Sequence, residues 1–228
     1  MNSPLSIETV FTLGPVPVTT PVVTTWAIMG VLVLGSIAIT RRLTMAPSKL
    51  QTVLELGVSA LDAQINETMR TTPATYRALI GTIFFFILIA NWSAMIPGIE
   101  PPTAHLETDA ALALIVFVAA IFYGIAVRGL GGYLKSFAQP TLVMIPLNIA
   151  ESFTRSFSMT VRLFGNVMSG VFIIGVVLSL AGLFVPIPLM ALDLLTGAIQ
   201  AYIFAVLSMV YIGSALSEGA PKQKTTRS

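Results

Sequence analysis

Apolar and polar positions fall along this chain in long blocks, and the block lengths predict its architecture. Val22 to Thr40 is a run of 19 residues without a charge, close to the ~20 residues a helix needs to cross a bilayer core. Arg41 and Arg42 end it. Residues 1 to 21 are polar to mixed, and Pro4, Pro15, Pro17 and Pro21 oppose a continuous helix, so an outer N-terminal arm is expected there. Ala46 to Arg70 follows another period. Leu50, Leu54, Val58, Leu61, Ile65 and Met69 recur every three or four positions, with Gln51, Glu55, Asp62 and Glu67 opposite them; this is the pattern of an amphipathic helix lying in the interface.

Tyr76 to Pro97 predicts a second span and Asp109 to Val127 a third, joined by the loop Gly98 to Thr108, which holds Glu100, Glu107 and the single histidine, His105. Arg128 to Pro140 is a short Gly-containing connection. Val143 to Leu183 is then a very long apolar segment; as one helix it would reach ~60 Å, about twice the hydrocarbon thickness, so it is expected to be strongly tilted or bent. Pro186 and Pro188 mark the return, Leu189 to Leu216 forms the last long helix, and Ser217 to Ser228 is a polar tail. The expectation is an all-α integral membrane protein with a single membrane domain: five transmembrane helices plus one interfacial helix, the last two helices forming a long hairpin.

Composition agrees with that class. Of 228 residues 55% are hydrophobic and 10% charged, with a mean hydropathy of +0.89, whereas soluble domains carry roughly 25% charged residues. The formal net charge of +2 is too small to suggest nucleic acid, and the absence of cysteine removes disulfides and thiolate chemistry. No cleavable signal peptide is expected, because the first 20 residues contain no Lys or Arg and the first apolar run is long enough to span. In a five-span arrangement Arg41, Arg42, Lys49, Arg70, Arg77, Arg128, Lys135, Lys222, Lys224 and Arg227 fall on one side, and Glu8, Glu100, Glu107 and Asp109 on the other. The positive-inside rule then puts the C-terminus in the cytoplasm and the N-terminus outside. No internal repeat is visible, which disfavours an inverted-repeat transporter.

Four charges stay inside the last two segments: Glu151, Arg155, Arg162 and Asp193. A charge at the bilayer centre costs between ~2.5 and ~17 kcal/mol depending on the method, so each calls for a partner or a function. Glu151, Arg155 and Arg162 share one helix face, with Asn166 a further turn on. Glu151 is one turn from Arg155 and can satisfy it. Arg162 has only Ser158, Met159, Gly165 and Asn166 at three and four positions, so its counter-charge is expected from another helix or another chain. Arginine is effectively never deprotonated; Arg162 can attract a carboxylate and hold it ionised, but it cannot relay a proton. On the last helix Asp193, Thr196, Gly197, Gln200, Ser208 and Tyr211 share a rough face. Spacing leaves open whether Asp193 pairs with Arg155 or Arg162 or takes up and releases ions. It likewise leaves open whether Gln200 packs helices or lines a channel. Gly165, Ser169, Gly170 and Gly175 allow close approach of another helix.

Motifs narrow the chemistry further. There is no phosphate-binding loop, no HExxH and no Cys/His cluster, so neither an enzyme nor a metal or cofactor protein is expected.

The run Val161-Arg162-Leu163-Phe164-Gly165-Asn166-Val167-Met168-Ser169-Gly170, followed 30 residues later by Gln200-Ala201-Tyr202-Ile203-Phe204 and then Tyr211, closely resembles subunit a of the F-type ATP synthase, and the resemblance covers the whole chain. It implies a non-catalytic stator subunit in a bacterial plasma membrane, in contact with a ring of c subunits and with the b-subunit stalk of the complex. In that family the Arg matching Arg162 faces the essential carboxylates of the rotating c ring and separates two offset half-channels for H⁺ or Na⁺. Asn166 and Gln200 match positions that line or support this interface, and Asp193 falls where the family usually has His or Glu in the outer half-channel. Two departures stand out. Val171 replaces the Glu or His that partners the Asp193 position in many members, and Asn148 replaces an inner-path Glu, a role Glu151 can take one turn later. Both fit a divergent branch encoded in second ATPase operons and thought to move Na⁺, although the ion is set mainly by the c ring. Readings from other classes are a stand-alone ion channel or secondary transporter, and a scaffold whose four charges pair internally.

Overall fold

The computed structural model describes residues 9–13, 16–41, 49–96, 99–137, 144–182 and 184–217. The polar tail after Ser217, with Lys222, Lys224 and Arg227, lies outside the described residues, as do Glu8, Arg42 and Pro97.

The N-terminal arm contains regular structure that its prolines did not suggest. Strand β1 (Thr9–Leu13) pairs antiparallel with β2 (Val16–Thr19) in the register Phe11 to Val18 and Leu13 to Val16, with an irregularity between Thr9 and Phe11. β-Branched residues dominate both strands, which favours extended backbone. Pro17 is tolerated because each strand of a two-stranded ribbon is an edge. Helix α1 (Thr20–Thr40) follows directly, two residues ahead of the apolar run, with Pro21 in its first turn, where a missing N–H leaves no bond unmade. Only Pro21 and Ile28 of α1 are buried, so this helix sits at the periphery.

Helix α2 (Lys49–Met69) is the amphipathic element, and only its second half is docked. Ile65 and Met69 are buried, while Val53, Leu56 and Val58 stay exposed. An Arg77–Asp62 ion pair ties α2 to the following helix, and Tyr202 donates to Gln64 Oε1 at 3.2 Å. Arg70 ends α2 in the left-handed region, at φ 52°. Helix α3 (Arg77–Trp92) gives way to a 3-10 turn, Ser93–Met95. Ile96 is extended, as crowding by a following proline requires.

Helix α4 (Leu106–Phe137) is two helical stretches joined at a kink: the third span ends there, and a second stretch lies within the expected connection. Gly129 breaks the regular helix at φ 73°, ψ 162°, a conformation open to glycine at little cost. Helix α5 (Met144–Ala181) is continuous over 38 residues, or ~57 Å, and ends at Gly182 with φ 75°, a common helix stop. Helix α6 (Pro186–Ser217) takes Pro186 and Pro188 into its first turn. Five helices are long and apolar enough to cross a membrane.

The core lies where α3, α4 and α5 surround α6. Ile80, Ile87, Val116, Leu163, Ala201, Phe204 and Ile212 are at most 1% exposed. Burial is uneven: half of the most apolar window of α6 is buried, against 11% for α5. One long flank of α5 is therefore left open along most of its length.

Candidate functional site

That open flank carries Arg162. Ser158, Val161, Arg162, Gly165 and Ser169 are exposed, whereas Met159, Thr160, Leu163 and Val167 are buried against the bundle. The division follows from helical periodicity: the residues facing α4 and α6 are apolar or can satisfy themselves locally, as Thr160 does by donating to Ser156 O at 3.2 Å. Nothing lies within 4 Å of a side chain added at Gly165. Among the described residues Arg162 makes no hydrogen bond and no ion pair, while Arg155, two turns away, is fully engaged. Arg155 pairs with Glu151, donates to Ser214 Oγ at 3.1 Å and sits 5.2 Å from the Tyr211 ring centroid, within cation–π range. Tyr211 is held in turn by a 3.4 Å bond to Ser152 O.

Cavities lie on both sides of the Arg162 level. The first, about 540 Å³, lies between α4, the start of α5 and the end of α6, and is lined by Asn148, Glu151, Ser152, Arg155, Tyr211 and Ser214. An open groove of about 600 Å³ continues from Glu151 and Arg155 along Thr154 and Ser158 to Arg162. The second cavity, about 180 Å³, lies toward the opposite end, bounded by Asn91, Glu100, Pro101, Val171, Gly175 and Asp193. Val171 stands nine residues from Arg162, about half a turn round the helix at ~100° per residue, so this cavity and the Arg162 groove lie on opposite sides of α5.

Asp193 sits close over Gly170, where an added Cβ would fall 2.2 Å from Oδ1. Glycine there is what admits the carboxylate. Among the described residues Asp193 forms no ion pair, so the reading in which Asp193 pairs with Arg155 or Arg162 inside the chain is not realised. Of the four charges, only Glu151 and Arg155 pair with each other among the described residues. Asn166 is half-buried and Gln200 is 7% exposed, and neither is among the residues that line these cavities.

Two further polar residues are buried among apolar side chains. Asn91, 6% exposed, donates to Gly197 O at 3.0 Å and accepts from Thr103 Oγ1 at 2.7 Å, fastening α3, α6 and the 3-10 turn Pro102–Ala104 around the Asp193 cavity. Trp92 adds a 3.2 Å bond to Leu194 O. Asp109, in the first turn of α4, is fully buried, and neither carboxylate oxygen finds a hydrogen-bond partner among the described residues. A helix N-terminus contributes up to ~2 kcal/mol to a buried acidic group, against an effective penalty of several kcal/mol for a buried unpaired ion. Both were legible as polar residues on an apolar face: Asp109 shares its face with Leu112, Ala113 and Val116, and Asn91 with Ile80, Ile83 and Ile87, all buried. Among the described residues no cluster of three or more His, Cys, Asp or Glu is placed to hold a metal ion.

Comparison with known proteins bears on what this arrangement serves. A family model described as ATP synthase A chain matches residues 22–213. "ATP synthase subunit a 2" of Bradyrhizobium sp. strain BTAi1 is 52% identical over 219 residues, covering 96% of this chain and 98% of that protein. "ATP synthase subunit a" of Albidiferax ferrireducens is 47% identical over 203 residues, covering 88% of each. "ATP synthase subunit a 2" of Acaryochloris marina is 48% identical over 193 residues, covering 84% and 82%.

Proposed function

The chain belongs to the ATP synthase A chain family, and we propose that it acts in an F-type ATP synthase as the stator subunit that carries H⁺ or Na⁺ to and from the carboxylates of a rotating c ring. It performs no catalysis of its own. The b-subunit stalk holds it still, and it spans a bacterial plasma membrane with its N-terminus outside. The observation that carries this reading is Arg162: a permanent cation, unpartnered among the described residues, on the open flank of α5 between two cavities.

A ring carboxylate entering lipid as an ion meets a cost of ~2.5–17 kcal/mol, so it must bind a cation first. Opposite Arg162 the balance reverses, since two unit charges ~4 Å apart attract by ~4 kcal/mol at an effective dielectric of 20. The carboxylate therefore releases its cation when it reaches Arg162 and takes up another after passing it. An ion enters through the Asp193 cavity, rides the ring for most of a turn, and leaves through the groove and cavity of Glu151, Arg155 and Asn148; in hydrolysis the sequence reverses. Arg162 also repels any cation moving directly from one cavity to the other. Asn166 and Gln200 support the interface between them.

The partner assignment is tested by cross-linking, for which a chain without native cysteine is suited. Cysteines at Ser158 or Gly165 are expected to form disulfides with a cysteine placed beside the c-subunit carboxylate. A cysteine at Val167, buried on the other flank, is expected not to. Equal yields from both flanks, or none from the exposed one in an assembled complex, would reject this docking face.

A further inference from the structure

One buried acid is left without a role by the mechanism above. Asp109 has no exposed surface, and both of its carboxylate oxygens lack a hydrogen-bond partner among the described residues. Its depth follows from the packing of α4 on α5. Leu106 and Glu107 share a cavity of about 370 Å³ with Phe164, Met168, Val171 and Phe172, while Phe117, Ala120 and Ile121 share the inner cavity with Asn148, Ser152 and Phe153. The two helices thus run antiparallel, and Asp109, ~4.5 Å along α4 from Leu106 at 1.5 Å per residue, packs beside the part of α5 that follows Arg162. That part includes Val171, on the wall of the Asp193 cavity.

Among the described residues the surroundings of Asp109 supply no counter-charge. Helix α4 packs against α5, α6 and the turn Pro102–Ala104. On α5 no charged residue follows Arg162, and on the outer half of α6 the only one is Asp193. In the loop, His105 Nε2 lies 3.6 Å from Glu100 Oε2, and Glu107 is exposed. The attraction of a helix N-terminus is smaller than the penalty on a buried, unpaired carboxylate. Such a group calls for a bound cation.

We propose that Asp109 is a cation-binding carboxyl of the outer path, which takes a monovalent ion from the Asp193 cavity and passes it inward to the level of Arg162. The inference rests on the ion-translocating reading given above. No covalent step is involved: the carboxylate gains a cation from one side and loses it to the other, and the charge balances at each transfer.

The test is ion flux through the assembled complex in vesicles, driven by a membrane potential, measured as H⁺ in Na⁺-free buffer and as Na⁺ in buffer with added Na⁺. Asp109→Asn keeps the size and polarity of the side chain but cannot carry a negative charge. It is expected to lower flux of the coupling ion at least tenfold, with Asp109→Glu restoring part of it at an altered half-saturating ion concentration. Flux in Asp109→Asn within twofold of the parent overturns the proposal, as does a loss that leaves half-saturation unchanged and that Glu does not mend, since that would mark a structural role. Should Asp109→Asn fail to assemble, the smaller Asp109→Ser is read by the same criteria. Arg162→Ala, measured alongside, separates the two ideas. Normal flux in Asp109→Asn with none in Arg162→Ala sinks only this inference, whereas coupled flux in both sinks the reading beneath it.

Discussion

At the scale of single residues, the two arginines of α5 differ in what surrounds them. Arg155 is held by Glu151, Ser214 and the Tyr211 ring, whereas Arg162 stands exposed with no partner among the described residues. Asp193 is the acidic counterpart on α6, half-buried over Gly170. Asp193→Asn is expected to leave the complex assembled, to slow ion flux several-fold and to change the ion concentration at half-maximal rate. Unchanged flux across ion concentrations would reduce Asp193 to packing. The Glu151–Arg155 pair was readable from the sequence because both partners lie on one helix four residues apart, a spacing that fixes proximity whatever the tertiary fold. The bonds of Asn91 to Thr103 and Gly197 join residues 12 and 106 positions apart. No local period encodes that proximity.

Elements meet through glycines at two points of α5 and α6, and these differ in what an added methyl would strike. At Gly197 a Cβ would lie 3.0 Å from the Cβ of Asn91, an atom fixed by the α3 backbone, so the helices must part. Gly197→Ala is expected to destabilise the subunit by about 1–3 kcal/mol, the usual cost of overpacking, seen as a lower melting temperature and less assembled complex. At Gly170 the obstacle is the Asp193 carboxylate, the mobile end of a side chain. Gly170→Ala is therefore expected to leave assembly near normal while pushing Asp193 aside and slowing flux; a result with the two effects exchanged would contradict this assignment. Helix periods made α2 and the long spans visible in the sequence, because apolar run length and amphipathic spacing are local properties. Two features were not visible. The β1–β2 hairpin was hidden by prolines that an edge ribbon tolerates, and the short helical stretch after Gly129 was hidden by the glycines of the connection that holds it. The positive φ at Gly129 separates that stretch from the third span.

Across the whole molecule, α6 is wrapped by its neighbours and α5 is left open. That imbalance suits the proposed docking on a rotating ring: one flank is fixed to the bundle, and the other presents Ser158, Gly165 and Ser169 around Arg162. Seen from the sequence, the RLFGN run and the unpaired Arg162 suggested the site. The cavity of Asn148, Glu151 and Tyr211 and the cavity of Asp193 were not legible there, because each is assembled from three or more elements. The claim that joins them is that Arg162 is the barrier and electrostatic release point between two aqueous paths. It is tested most directly by placing Arg162→Ala in the assembled complex and measuring ATP-driven ion pumping into vesicles, beside ATP hydrolysis and assembly. The expected result is a normally assembled complex with pumping abolished. Pumping at the parental rate in that variant would contradict the account.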